Sequence, residues 1–401
     1  MIIPNFFSKF AFIFTINKVM QGKSLKIVYL TPALYMAGGV ERVLTLKANY
    51  FAEHYGYDIT IILTEGKGKP LFYPLSDKVK IVNLDINFEE LWHCSFAKKI
   101  VLYLKKQIEY KKKVKEELMR LSPDITVSML RREINFINNI NDGSKKIGEL
   151  HINRANYRNF SPSDANFIKN LFAQFWSNNL LGHLRKLNRL VVLTEKDREA
   201  WHELDNVEAI PNPLPFDVCN ISNQESKRLL LVGRYSHEKG IDLMLEAWAK
   251  LQGKCSDWTL DIFGDGDREP YILQAKQLGI DMSRCHLNGR TDDVRREYAN
   301  SAMLVCSSRF EGFGMVIAEA MACGLPVVSF DCPWGPHSII SDGEDGALVT
   351  NGNVEELTKS ILKMVNDSEL RHNMSMKAIE NIKRFNIDNI AEKWRLLFES
   401  L

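Results

Sequence analysis

The sequence lacks any apolar run of the about 20 residues needed to span a bilayer. It also lacks a Cys-x-x-Cys pair. Its seven cysteines (Cys94, Cys219, Cys255, Cys285, Cys306, Cys323 and Cys332) are scattered and odd in number. That argues against a disulfide framework or a structural zinc site, and for a reducing compartment. There is no excess of one charge: 52 Lys and Arg face 50 Asp and Glu, a net of +2. Without a basic balance or a matching motif, nucleic acid is not an expected partner. Tandem repeats and low-complexity tracts are missing as well. What remains is ordinary for a soluble globular protein, 45% hydrophobic and 25% charged. Its 401 residues exceed the about 250–300 that one core accommodates, so two domains are expected.

The N-terminus is Phe-rich, with Phe6, Phe7, Phe10, Phe12 and Phe14 interleaved with Ile13, Ile16, Lys9 and Lys18. It is too short for a span and has no small-residue cleavage site. Two readings stand: an interfacial amphipathic segment, or an over-extended start with Met20 as the functional initiator.

Along the rest of the chain, apolar strands alternate with amphipathic helices, the pattern of parallel α/β sheets. Strands are expected at Lys26–Thr31, Ile59–Leu63, Val79–Leu84, Ile125–Leu130, Lys146–Leu150 and Leu190–Leu193. A first helix after Gly38-Gly39 is expected to turn Val40, Val43, Leu46 and Tyr50 to the core, and a long helix is expected over Ala97–Leu121. Pro211-Asn212-Pro213-Leu214-Pro215 then imposes a stiff extended connection. The alternation restarts with strands at Leu229–Val232, Leu260–Phe263, His286–Leu287, Met303–Cys306 and Val327–Phe330, and with helices beginning near Gly240, Arg268, Thr291 and Gly314. A last amphipathic helix covers Ile387–Leu401. The expected organisation is a first Rossmann-like domain over 1–211, a second over 212–385, and a terminal helix over 386–401 that packs back on the first. Two doubly wound domains of this kind aim their strand ends at a shared cleft, where ligands of open α/β sheets bind.

The most informative segment runs from Ser307 to Val327. It reads strand end, loop with Gly312 and Gly314, helix, Gly324 and next strand. The glycines let backbone approach a ligand closely, and the helix start presents N–H groups and a positive dipole end to an anion such as a diphosphate. Glu311 precedes the helix and Glu319 lies about two turns along it, so both carboxylates can address hydroxyls of one extended ligand. A lone Glu beside a helix start is as readily a dipole partner. A second block, Val232-Gly233-Arg234-Tyr235-Ser236-His237-Glu238-Lys239-Gly240, places two cations where a strand hands over to a helix. Arg234 suits bidentate phosphate contact and Lys239 a point charge, and together they stabilise a departing diphosphate. Standing alone, the pair reads as solvated.

The Glu311-x7-Glu319 segment resembles the signature of the retaining family 4 glycosyltransferases, which have the GT-B fold. The resemblance is strongest over residues 189–346. It implies that Glu311 contacts donor-sugar hydroxyls, that Glu319 holds the ribose, and that the amides around Phe313, Gly314 and Met315 receive sugar or phosphate oxygens. It assigns the donor pyrophosphate to Arg234 and Lys239, and gives Arg309 no role. Phe263-Gly264-Asp265-Gly266-Asp267 resembles the family's glycine turn beside the nucleotide. That turn explains Asp265 and Asp267 without a metal, so no metal or other cofactor is expected. His286-Leu287-Asn288-Gly289-Arg290 resembles the segment that cups the base, with Arg290 near the ring. By the same resemblance, Gly38 and Gly39 lie close to the donor phosphates and the acceptor. His151, at a strand end after Gly148-Glu149-Leu150, takes the place near the donor sugar's primary hydroxyl, with Glu149 as runner-up. Cys332-Pro333-Trp334-Gly335-Pro336 resembles a subgroup of bacterial polysaccharide-assembly transferases.

The function implied is retaining transfer from a nucleotide-sugar, expected to be a UDP-sugar, to a saccharide acceptor, including lipid-linked acceptors. The alternatives are a sugar-nucleotide epimerase of the same fold and a non-catalytic sugar-nucleotide binding module. Lys98, Lys99, Lys105, Lys106, Lys111, Lys112, Lys113 and Lys115 crowd the long helix among Ile100, Val101, Leu102, Leu104, Ile108 and Val114. Basic amphipathic helices dock on anionic lipid, although a solvated face explains the lysines too. The expected location is cytoplasmic, peripheral on the inner face of the cytoplasmic membrane.

Overall fold

The computed structural model describes residues 24–157 and 178–401. The Phe-rich N-terminal stretch lies outside them. The described chain forms two compact units, 24–148 with 186–188, and 149–157 with 178–185 and 189–401.

The strands of the first sheet are β1 (Lys26–Thr31), β2 (Asp58–Leu63), β3 (Lys80–Asn83), β4 (Ile125–Ser128), β5 (Lys145–Glu149), β6 (Arg189–Val192) and β7 (Val207–Ala209). Their order is β3-β2-β1-β4-β5-β6-β7. β1 pairs in parallel with both β2 and β4, with Lys26 beside Asp58 and Ile27 beside Ile125. β1 and β2 are buried from their second residue onward, as strands covered on both faces must be. The helices α1 (Gly39–His54) and α2 (Phe96–Leu121) belong to this unit.

One expectation needs correction here. The buried stripe of α1 is Val43, Leu44, Lys47, Ala48 and Phe51, whereas Val40, Leu46 and Tyr50 sit half-buried beside it. The stripe was rotated because buried Lys47 reads as polar in a pattern based on hydropathy. In α2 the buried face is Tyr110, Val114 and Leu118, and Ile100, Val101, Leu104 and Ile108 are exposed. Lys106 and Lys113 leave the supposed basic face: they donate to the carbonyls of Ile86 and Leu84.

The second sheet comprises β8 (Arg228–Val232), β9 (Thr259–Phe263), β10 (Cys285–Asn288), β11 (Met303–Cys306), β12 (Val327–Asp331) and β13 (Ala347–Thr350), in the order β10-β9-β8-β11-β12-β13. Helix α3 (Glu195–Ala200) packs on β6 and β7 of the first sheet, and it is followed in the chain by α4 (Ile241–Leu251), α5 (Glu269–Gln277), α6 (Val294–Ala299), α7 (Met315–Ala322), α8 (Val354–Asn366), α9 (Ser368–Asn381) and α10 (Ile387–Glu399). Leu245 and Trp248 of α4 pack with Leu229, Ile262, Val305, Phe330 and Ile361 into one core. β7, β13, α3, α8 and α9 are additions to the sequence reading. The starts of α8 and α9 are marked by side-chain caps, Asn353 accepting from the Glu356 amide and Asp367 from the Leu370 amide. The proline segment 211–215 has no regular structure, and the Leu214 amide ties it to the Phe385 carbonyl.

Candidate active site

In the second unit, three parallel strands end side by side and their loops are stitched by backbone. The Gly233 amide donates to the Phe263 carbonyl at 2.9 Å, and the Tyr235 amide to Asp265 at 2.7 Å. The Gly264 amide donates to the Gly289 carbonyl. A side chain at Gly264 would meet the Gly233 carbonyl oxygen at 1.8 Å. Beyond Gly233 the chain makes a short turn over His237–Lys239, and Gly240 closes it at φ +59°, the left-handed region that favours glycine. A Cβ there would sit 1.9 Å from the Ser307 carbonyl oxygen. The Lys239 turn is therefore pressed against the loop leaving β11.

That loop carries Glu311. Lys239 Nζ lies 2.6 Å from Glu311 Oε1, and Ser308 Oγ donates to the same oxygen at 2.7 Å. Both charged side chains are largely enclosed, at 19% and 11% exposure. Burial pushes the Lys239 ammonium down. The Glu311 charge and hydrogen bond outweigh it and hold Lys239 above the usual lysine value. Gly312 lets the loop pass the His151 carbonyl, which a Cβ would meet at 2.7 Å, and Asn153 Nδ2 donates to the Glu311 carbonyl at 3.3 Å. Gly335, in the Cys332–Pro336 segment, has the same use: its Cβ position is 2.7 Å from both the Glu311 Cβ and the Phe313 carbonyl oxygen. Its neighbour Trp334 adopts φ +76°.

Arg309 is the residue that sequence reasoning passed over. Its guanidinium forms a fork on Asp242 at 2.8 and 2.6 Å, and Nη1 also donates to the His237 carbonyl at 2.8 Å. Its amide donates to the Glu238 carbonyl. Ser307 Oγ adds a bond to the Lys239 carbonyl. The Glu311 loop is thus clamped to both ends of the Lys239 turn. An Arg next to a Phe-Glu-Gly loop, with an Asp two residues after a Lys-Gly pair, was the available signal.

The other candidates stand outside this bonded pair. Arg234 is mostly exposed, with Glu238 at 3.6 Å, so one of the two cations faces solvent and the other does not. Glu319 is buried within α7 and accepts from Tyr298 Oη at 3.1 Å. Phe313 is buried edge-on against Phe385 at 5.3 Å, Gly314 caps α7 at φ +100°, and Met315 opens the helix half-buried. The first amides of α7 have no preceding helical carbonyl to bond. His151 Nε2 meets Glu149 Oε1 at 3.0 Å, with both side chains nearly enclosed. Arg290 is half-exposed beside Asp292. Asp265 and Asp267 accept from the amides of Gly266 and Glu269, as turn-forming residues do. Among the described residues no group of three His, Cys, Asp or Glu side chains is placed to hold a metal. Gly38 and Gly39 lie at the start of α1 in the first unit.

With this geometry in hand, comparison with known proteins is informative. Residues 219–381 match the family described as glycosyl transferases group 1. A Haemophilus influenzae protein described as an uncharacterized glycosyltransferase is 30% identical over 376 residues, covering 92% of this chain and 99% of its own. A Campylobacter jejuni enzyme is 26% identical over 92% of this chain and 97% of its own; it is the GalNAc-alpha-(1->4)-GalNAc-alpha-(1->3)-diNAcBac-PP-undecaprenol alpha-1,4-N-acetyl-D-galactosaminyltransferase. Among solved structures, S. aureus TarM in complex with fondaparinux, alpha-GlcNAc-glycerol and UDP aligns with a TM-score of 0.73 at 18% identity, over 93% of this chain and 99% of that one.

Proposed function

The chain belongs to the group 1 glycosyl transferases and has the GT-B fold, and from that premise we propose a retaining, metal-independent transfer from a UDP-sugar to a saccharide acceptor carried on a lipid. The observation that supports it most is the enclosed Lys239–Glu311 pair at the mouth of α7, 2.6 Å apart. A carboxylate held by an ammonium and a hydroxyl is fixed in place, as a group that positions sugar hydroxyls must be. The bond from the anomeric carbon to the diphosphate breaks, and Lys239, Arg234 and the first amides of α7 receive the negative charge. The acceptor oxygen attacks from the same face, and its proton passes to the departing phosphate oxygen. Glu311 is already engaged by Lys239 and Ser308, which disfavours a covalent glycosyl-enzyme on it. Glu319 is assigned to the ribose, Arg290 to the base, His151 to the sugar's primary hydroxyl, and the Gly264 turn and the Gly38-Gly39 loop to the nucleotide phosphates. These assignments rest on the family resemblance.

The lipid-linked acceptor is suggested by the name of the Campylobacter relative. It accords with attachment of the lysines of α2 to an anionic surface on the cytoplasmic face. No helix among the described residues is long and apolar enough to cross a membrane. The test is incubation with a panel of nucleotide-sugars, detecting released nucleoside diphosphate, followed by proton NMR of the product's anomeric coupling. An α-donor should give an α-product with excess chelator present. A β-product removes retention, and loss of turnover in chelator with rescue by manganese removes metal independence.

A further inference from the structure

Helix α2 presents apolar residues on the side away from its own core. Its inner face holds through Tyr110, Val114 and Leu118, each at most 2% exposed, and through the inward bonds of Lys106 and Lys113. On the outer face Ile100, Leu104 and Ile108 recur at four-residue spacing with Val101 beside them, which makes one stripe. Their exposures are 48, 56, 72 and 54%. Trp92, in the turn Phe88–His93 that leads into the helix, is 70% exposed. Lys98, Lys105 and Lys112 follow one flank of this stripe at seven-residue spacing, and Lys111 and Lys115 extend it; all five are exposed. The nearby acids are partly offset, Glu109 by Lys113 at 2.7 Å and Glu116 by Lys112 at 3.9 Å. Lysines along one flank and at one end of an apolar stripe complement a surface of negative headgroups over hydrocarbon, and a Trp at the other end suits the boundary between them.

We propose that the outer face of α2, from Trp92 to Ile108, inserts into the headgroup–acyl boundary of an anionic bilayer, with the lysines binding the headgroups. This deepens the membrane reading above: the lysines direct the encounter and the apolar stripe holds the protein there. Neither the donor site nor the identity of the acceptor enters the inference.

The experiment is co-sedimentation of the full chain with vesicles of phosphatidylcholine alone or with phosphatidylglycerol, at low and high salt. Wild type is expected to bind the anionic vesicles and to retain part of that binding in high salt, since apolar burial is not screened. Leu104→Asp with Ile108→Asp should lower partitioning by about tenfold or more, because two side chains lose their apolar partner, without lowering the melting temperature. Trp92→Ala should give a smaller loss of the same kind. Binding by the double-Asp variant within twofold of wild type, with full release by salt, would overturn insertion and leave the lysine attachment standing. Absence of wild-type binding would overturn both. A wild-type dimer that the same variant dissolves, seen by sedimentation velocity, would assign the stripe to a second copy instead.

Discussion

Each sheet hands a strand over to a helix through glycines, and the two places differ in what makes glycine necessary. In the second unit the protein's own backbone occupies the space. A Cβ at Gly240, Gly264 or Gly312 would lie 1.9, 1.8 or 2.7 Å from a carbonyl oxygen of another loop. In the first unit a Cβ at Gly39 would meet nothing within 4 Å, and at Gly38 the nearest atoms belong to the Glu41 side chain, which can move. The loop before Gly38 is tied down at Pro32 and Leu34, whose carbonyls accept from Thr64, Glu65 and Phe72, but the tethering stops short of the glycines. Packing therefore explains the glycines of the Lys239–Glu311 loops and gives no reason for Gly39. Gly240 and Gly264 serve the assembly of the Lys239 and Glu311 loops, whereas Gly39 answers only to the proposed approach of a donor phosphate.

The largest expected effect lies at the centre of the packed loops. Lys239→Ala should cut turnover by about two orders of magnitude or more, the about 2.7–4 kcal/mol typical of one electrostatic donor. It also leaves Glu311 enclosed without its cation, so the melting temperature should fall too. Released nucleoside diphosphate and a thermal melt read both. Glu311→Gln should impair turnover through sugar positioning and accumulate no glycosyl-enzyme by intact-mass measurement. A trapped covalent adduct would reverse the role given to Glu311.

The glycine comparison itself is broken or sharpened by alanine. Gly240→Ala should destabilise by about 2–4 kcal/mol, from overpacking against Ser307 and from the left-handed backbone. Gly264→Ala should cost about 1–3 kcal/mol through contact with the Gly233–Arg234 backbone. Gly39→Ala should change stability by no more than about 0.5 kcal/mol, while turnover falls if a phosphate approaches that backbone. Denaturant melts compared with steady-state rates separate the two. Full activity in Gly39→Ala would remove the loop from the donor site.

Smaller again is the Arg309 clamp. Arg309→Ala frees the Glu311 loop from Asp242 and from the His237 carbonyl, and should lower kcat by about tenfold, as small misplacements do. Arg309→Lys restores the charge without the fork and should recover only part. An equal loss in KM alone, with kcat intact, would make Arg309 a donor-binding group and not a positioning one.

Much of this was legible in the sequence. Strand β1 and β11 fall where their apolar runs stand, because a buried parallel strand has little else to be. The Lys239 turn and the Glu311 loop were legible as separate motifs. Their mutual bond was not, since the two residues are far apart in the chain and meet only where β8 and β11 pair. Arg309 was passed over for the same reason: its partner Asp242 sits on α4. Which side of α2 packs inward was not legible, because hydropathy periodicity shows that a stripe exists but not which side faces the core. Tyr110, Val114 and Leu118 form a second stripe, and tertiary packing chose that one.

A pH-dependent effect concerns the segment after β5, which carries His151 and abuts Glu311 through Asn153. Its next residue, Arg154, donates its amide to Asp197 Oδ1 at 2.9 Å, and Asp197 is 3% exposed. Burial pushes the Asp197 carboxyl up to about 6, against 3.8 for an ordinary one, although the bond from Arg154 draws it down. The folded-state value stands above the unfolded one, so between those two pH values the folded protein holds a proton that the unfolded chain has lost. The stabilisation from that proton is complete below the unfolded value and disappears as pH rises through the folded one. At neutral pH the protein keeps a charged carboxylate in a dry place, at a cost of up to about 3 kcal/mol for a shift of this size. Asp197→Asn retains the acceptor for Arg154 and removes the charge. It should therefore raise the melting temperature at pH 7.5 and bring little gain at pH 4.5, where wild-type Asp197 is itself mostly neutral. Thermal melts of both proteins across that range test it. An equal shift at both pH values would mean that Asp197 stays ionised throughout, and that the His151 segment is anchored by charge as firmly as the Glu311 loop.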